Sequence, residues 1–521
     1  MALAATRFFA SRSAKSAASA PLLAILVLAL VALALAPLVA LLLFAFGGVA
    51  SRASLDLGPG GWEAVGNTLG LVFGVGVVVA VLGTANGWLT VSCAYPGRRW
   101  LRLAQVLPLA TPAYLLAATW IDLGSRLGWP IHGSGWAIAS LSLSTYSYVF
   151  LLASESFASL GRRPLEAARG LGVGPWGGFR RVALPLAVPA IGAGVALSGM
   201  EVVNDLGAVE LLGVPTLSTA ILQRWQADGE PRAAAGLALV ALLIVAGLLA
   251  AERHFRRRGR RWSAEGGLDR APAHGLRGWR AMVAQGLALL PPLLTLGLPL
   301  LWLLLSRDQM PSQDPLELLA LTGRTLGLAL AAASLTLLFA QVLAIARRWL
   351  ARGPWRPLTL LAGMGYAVPG AVLALGLMLL GGGGAVGPVA LLLWGYGDRF
   401  LAVAKQGLDA SLERLPPSLD EAATSLGSGW WAVLRRVHLP LLRGPLLVGL
   451  LLVLVDVVKE LPLTFALGPF DFDTLAVRVF QYASDERVGA ALLPAALILV
   501  LGLVSALALV PSLELGAREE A

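Results

Sequence analysis

The 521 residues include one cysteine, three lysines and four histidines, and each shortage removes a class of chemistry. A lone Cys93 excludes a disulfide framework and a cysteine-rich metal site. A phosphate-binding G-x-x-x-x-G-K-[ST] loop needs a lysine directly after a glycine. Lys15, Lys405 and Lys459 follow Ala14, Ala404 and Val458, so this chain has no such loop. The histidines, His132, His254, His274 and His438, form no H-E-x-x-H or similar cluster. Charge is also scarce, at 13% of residues against about 25% in soluble domains.

What the chain has instead is apolar length. It is 57% hydrophobic, with a mean hydropathy of +0.77. About 20 apolar residues in a helix cross a bilayer with every backbone polar group satisfied internally. A membrane β-barrel would alternate apolar and polar residues, and these runs do not. The sequence predicts an all-α polytopic membrane protein with spans near 21–47, 66–94, 102–122, 134–154, 185–203, 233–251, 283–305, 324–345, 357–381, 387–405, 440–458 and 488–511. The first run exceeds the 7–15 residues of a signal peptide core, so it reads as a span.

The net charge of +10 fits topology rather than nucleic-acid binding. With the N-terminus inside, 31 of the 40 Lys and Arg fall on cytoplasmic segments, counting 398–443 among them. That supports twelve spans with both termini cytoplasmic. The basic, glycine-containing segment 252–282 reads as a cytoplasmic linker between two six-span halves, 1–251 and 283–521. Membrane lipid is the expected surroundings.

The halves repeat. Asn67-Thr68-Leu69-Gly70 returns as Arg324-Thr325-Leu326-Gly327, and Glu166-Ala167-Ala168 returns as Glu421-Ala422-Ala423. Six intervening spans keep matching elements in one orientation, which makes a parallel repeat about an axis along the membrane normal. The strongest match lies on the cytoplasmic side. EAARGLGVGPWGGFRRVALPL, from Glu166, and EAATSLGSGWWAVLRRVHLPL, from Glu421, align without a gap. Helix formers, then the Gly172/Gly174 and Gly427/Gly429 pairs, predict a short helix, a turn and a second helix. Pro185 and Pro440 are expected to mark entry into the next span.

After each loop comes an acidic run, Glu201-Val202-Val203-Asn204-Asp205 and Asp456-Val457-Val458-Lys459-Glu460. Acids four apart would share one helix face. Two readings stand. The four acids could ring the outer mouth of a pathway and favour a cation, because acids near a membrane usually face a cavity. They could equally sit in headgroup water or in ion pairs, with Lys459 neutralising Glu460 or Asp456.

The E-A-A pattern, with Gly six residues after the Glu and L-P about twelve further on, resembles the EAA loop of ABC importer permeases. The resemblance implies ATPase-coupling roles for Glu166, Ala167, Ala168, Gly172, Glu421, Ala422, Ala423 and Gly427. It implies two copies of an ATP-binding cassette subunit that hold the ATP and magnesium, and a periplasmic or lipid-anchored solute-binding protein. It also implies a bacterial inner membrane location and no catalysis, resident metal or cofactor on this chain. The stretches from Val455 to Ala495 and from Met200 to Ile221 are similar to ferric-iron importer permeases, which implies Fe(III) as cargo. Thiamine and polyamine permeases share the loops and are the alternatives. A membrane-embedded enzyme or a passive channel would explain the hydrophobicity but not the paired loops.

Overall fold

A computed structural model describes residues 19–47, 57–160, 163–262, 274–311, 314–350, 354–381, 384, 386–470 and 472–518. The basic arm with Arg7, Arg12 and Lys15, and the middle of the linker at 263–273, lie outside these residues. The described chain is helical apart from two dipeptide strands. The first half contributes α1 (Ser19–Phe46), α2 (Gly61–Ser92), α3 (Ala113–Arg126), α4 (Ser134–Leu160), α5 (Arg163–Gly170), α6 (Leu184–Asn204), α7 (Gly207–Leu211) and α8 (Pro231–Trp262). The second half repeats the series as α9 (Trp279–Leu305), α10 (Pro315–Trp349), α11 (Gly370–Gly381), α12 (Pro388–Arg414), α13 (Ser418–Ser425), α14 (Arg443–Val458), α15 (Pro462–Leu467) and α16 (Val488–Arg518).

Among the described residues, 8 helices are long and apolar enough to cross a membrane, or up to 11 if three bent pairs each count as one span. The bends have local causes. Pro112 and Pro369 precede α3 and α11, and the chain turns there by 91° and 109°. Proline cannot continue the hydrogen-bond ladder of a preceding helix. The remaining expected span, α12, carries Asp398, Arg399 and Lys405, too many charges to qualify by composition.

Arg399 and Lys405, which the charge pattern groups with the cytoplasmic loop, are both buried within α12. Lys405 Nζ pairs with Asp409 Oδ2 at 2.6 Å, and Arg347 Nη1 meets the same oxygen at 2.8 Å. Pro185 and Pro440 do not mark the start of a span. Each follows a π-helical turn, Phe179–Ala183 and Leu434–His438. After Pro185 the helix runs on as α6, whereas just beyond Pro440 the chain bends by 71° before α14.

Each half lends its first helix to the other. α1 packs on α10, α11 and the helix Trp355–Leu361 of the second half. Pro37 interrupts α1 and has no N–H to give the carbonyl of Leu33. Trp394 Nε1 of α12 donates to that carbonyl at 3.0 Å, so the vacancy becomes a contact between halves. Gly376 of α11 permits the approach, because a Cβ there would stand 2.4 Å from the Pro37 oxygen. In the reverse direction, Gln285 Nε2 of α9 donates to Pro96 O at 2.9 Å. The fully buried Trp302 donates to Asp122 Oδ2 at 2.9 Å.

Candidate functional site

The two loops fold alike. α5 and α13 are single short helices, each closed by a glycine in the left-handed region, Gly172 at φ 81° and Gly427 at φ 82°. Val173 N donates to Ala168 O at 2.9 Å and Gly172 N to Arg169 O at 2.8 Å. Ser428 N to Ala423 O and Gly427 N to Thr424 O repeat the pattern at 3.1 and 3.0 Å. This is the Schellman closure, which a side chain at the glycine would strain. Gly174 and Gly429 are extended and need no glycine. Glu166, Ala167, Gly172, Glu421, Ala422 and Gly427 face outward, whereas Ala168 is buried and Ala423 half-buried. Leu171 and Leu426, at matching positions, are 84% and 88% exposed.

The loops are anchored differently. Leu165 of α5 packs into an apolar cluster with Phe157 and Ala183. Its counterpart in α13 is Asp420, which pairs with Arg348 Nε at 2.7 Å and His438 Nε2 at 2.7 Å. Partial burial pushes the Asp420 carboxyl up, but bonds and charge from Arg348 and His438 outweigh it and hold it below the usual carboxylate range. On the first loop, Arg169 instead contacts His274 of the linker, whose strand pairs with Cys93–Ala94.

Glu201, Asp205, Asp456, Lys459 and Glu460 all line one cavity of about 130 Å³ between the halves. They do not form four equivalent carboxylates. α6 stops at Asn204 and α14 at Val458, so the second acid of each pair lies beyond its helix rather than on a shared face. Asp205 Oδ1 accepts from Ala208 N and Val209 N at 3.0 and 3.1 Å. Glu460 accepts from Leu463 N and Thr464 N at 2.8 and 3.0 Å. Both carboxylates therefore cap the short helices α7 and α15, where N–H groups lack helical partners.

Glu201 and Asp456 remain facing the cavity. Asp456 Oδ1 pairs with Lys459 Nζ at 2.8 Å, which settles the lysine's partner. Glu201 Oε1 accepts from Tyr366 OH at 3.0 Å and Tyr148 OH at 3.3 Å. Four hydrogen bonds cross between the halves here. Tyr366 reaches Glu201, Lys459 Nζ donates to Leu109 O at 2.9 Å, and Asn204 Oδ1 accepts from Arg399 Nη1 at 2.8 Å and Gly370 N at 2.6 Å. Sequence reasoning missed Tyr148, Tyr366, Asn204 and Arg399. Only Arg399 left a signal, as a charge inside an expected span.

A polar cavity lined by both halves and a matched pair of loops are the parts of a two-half transporter. Residues 88–260 and 355–510 match the family described as "Binding-protein-dependent transport system inner membrane component". The chain belongs to that family. It is the permease subunit of an ABC importer, a multi-pass inner membrane protein that works with an ATPase and a binding protein and is itself non-catalytic.

Relatives of the permease differ in extent. The Fe(3+)-transport system permease protein FbpB 2 of Haemophilus influenzae is 27% identical over 455 residues, covering 84% of this chain and 87% of its own. The sulfate transport system permease protein CysT of Escherichia coli is 28% identical over 217 residues, 36% of this chain and 76% of its own. The molybdenum transport system permease protein ModB of Escherichia coli is 28% identical over 178 residues, 30% of this chain and 76% of its own. Among the described residues, no three His, Cys, Asp or Glu side chains converge to hold a metal.

Proposed function

We propose that this permease carries ferric iron from a binding protein on the outer face to the cytoplasm by alternating access. One observation carries the choice of cargo. The similarity to an Fe(3+) permease runs through both halves, 84% of the chain, whereas the sulfate and molybdenum relatives match 36% and 30%. The cavity is consistent with a hard cation, since Glu201 faces it and, among the described residues, no basic side chain is hydrogen-bonded to it.

In this mechanism ATP-binding subunits seat on α5 and α13, with Glu166, Ala167, Ala168, Gly172, Glu421, Ala422, Ala423 and Gly427 shaping the two docking helices. Closure of the ATPase pair moves those helices and rocks the halves. The contacts of Asn204, Glu201 and Leu109 with the opposite half break and reform as the cavity changes the side on which it opens.

A second reading has a foothold in Arg399 and Lys459, which line the same cavity and could receive an oxyanion. Both are already engaged, Arg399 by Asn204 and Lys459 by Asp456. The test is uptake into proteoliposomes holding the permease, its ATPase and its binding protein, with labelled Fe(III), sulfate or thiamine outside. ATP-dependent accumulation of iron alone supports the proposal. Accumulation of sulfate alone installs the oxyanion reading, and thiamine alone would replace both.

A further inference from the structure

The cavity holds a set of oxygen donors that neither the helix caps nor the coupling loops use. Tyr148 of α4 and Glu201 of α6 belong to the first half, and Tyr366, just before α11, belongs to the second. Both phenols donate to the same carboxylate oxygen, at 3.3 and 3.0 Å. Three oxygens from three segments thus form one small triangle. Ligands about 2.0–2.1 Å from a small hard cation in octahedral array lie on the order of 2.9 Å apart. The two edges that meet at Glu201, 3.3 and 3.0 Å, are close to that spacing.

A second observation points to a missing occupant. Tyr114 and Thr111 line the same cavity, are 3% and 2% exposed, and their hydroxyl oxygens have no hydrogen-bond partner among the described residues. Buried hydroxyls are ordinarily paired, so these two await a ligand or its water.

The geometry points to Tyr148, Tyr366 and Glu201 as a transit site for the trivalent cation itself, which rests on the ferric reading above. Charge favours a cation, because four carboxylates, Glu201, Asp205, Asp456 and Glu460, line the cavity against two cations, Arg399 and Lys459. When the ion binds, each phenol loses its proton to cavity water and forms an oxygen–metal bond. Two phenolates and one carboxylate then supply three negative charges. Hard anionic oxygen suits a hard cation, and no redox step is required. Because the donors come from both halves, the rocking that opens the cavity inward also pulls the triangle apart. The same motion that exposes the ion would release it.

The permease–ATPase complex in detergent, without binding protein, is titrated with Fe(III) citrate and its visible spectrum recorded. A phenolate-to-Fe(III) charge-transfer band is expected, and it should vanish in the Tyr148→Phe/Tyr366→Phe double variant. In proteoliposomes that variant should lose iron uptake by on the order of tenfold. The variant complex should elute with its ATPase as the wild type does in size-exclusion chromatography, showing that it folds and assembles. If the wild type imports iron but shows no band, and the double variant imports it normally, the site is wrong and the ferric reading stands. If the wild type imports no iron, both fall.

Discussion

Gly172 and Gly427 hold the same left-handed backbone, φ 81° and 82°, at matching positions of the two loops. A Cβ at either would find nothing within 4 Å, so the requirement is conformational and not steric crowding. The left-handed region costs a branched residue on the order of 1–2 kcal/mol and asparagine less. Gly172→Val and Gly427→Val should insert normally but lose ATP-driven uptake, while the asparagine variants keep most of it. Equal activity of the valine and asparagine variants in proteoliposomes would refute the turn's role.

Asp420 holds α13 through Arg348 and His438, whereas Leu165 holds α5 through packing. Asp420→Ala should loosen the second loop alone, by about 1.5–3 kcal/mol, the range for hydrogen bonds to charged groups. Hydrogen exchange over Ser418–Ser425 reports it, with Arg163–Gly170 as the internal control. The pH dependence has a definite sign. A carboxyl held below its ordinary value stabilises the fold above about pH 3.9 and loses that contribution as pH falls through its lowered folded value. Acid should therefore lower the protection of α13 in the wild type, relative to the intrinsic exchange rate at each pH, and Asp420→Asn should abolish that loss of protection.

The clasp of Asn204 with Arg399 and the Gly370 N–H joins the halves beside the cavity. Asn204→Ala removes the acceptor from a buried guanidinium. Losing a bond to a charged group shifts the balance of the two states by about 1.5 kcal/mol, on the order of tenfold. ATP hydrolysis without loaded binding protein should rise accordingly. An unchanged basal rate would show that the clasp does not oppose the motion.

Gly365 leaves space for Asp398. A Cβ there would lie 2.3 Å from Asp398 Oδ1 and 2.6 Å from the Asp398 backbone oxygen. Gly365→Ala should lower the melting temperature in detergent, since overpacking costs about 1–3 kcal/mol. It should also reduce uptake, because Tyr366 is the next residue. An unchanged Tm would mean that α12 shifts freely at this point.

The loops were legible because each is one continuous stretch whose helix formers, turn glycine and following helix lie in order, twice. The acids were legible as a repeat but not in their roles. A spacing of four implies a shared face only while the helix continues, and both helices stop before the second acid. Where a helix stops and the next begins, an acid is drawn to the unsatisfied N–H groups, as Asp205 and Glu460 show.

The sequence by itself determined that this chain lives in a membrane, is built twice, and presents two matched loops. Those properties follow from apolar run length, charge placement and local chemistry, all read along the chain. Only the tertiary structure decided that the first helices are exchanged between halves and that Tyr148, Tyr366 and Arg399 meet Glu201 and Asn204 in one cavity. One apolar helix face suits many partners, so hydrophobicity alone does not choose between packing at home and crossing over. The choice is made by single contacts between distant residues, such as Trp394 on the carbonyl that Pro37 leaves free, and these exist only once the halves have packed.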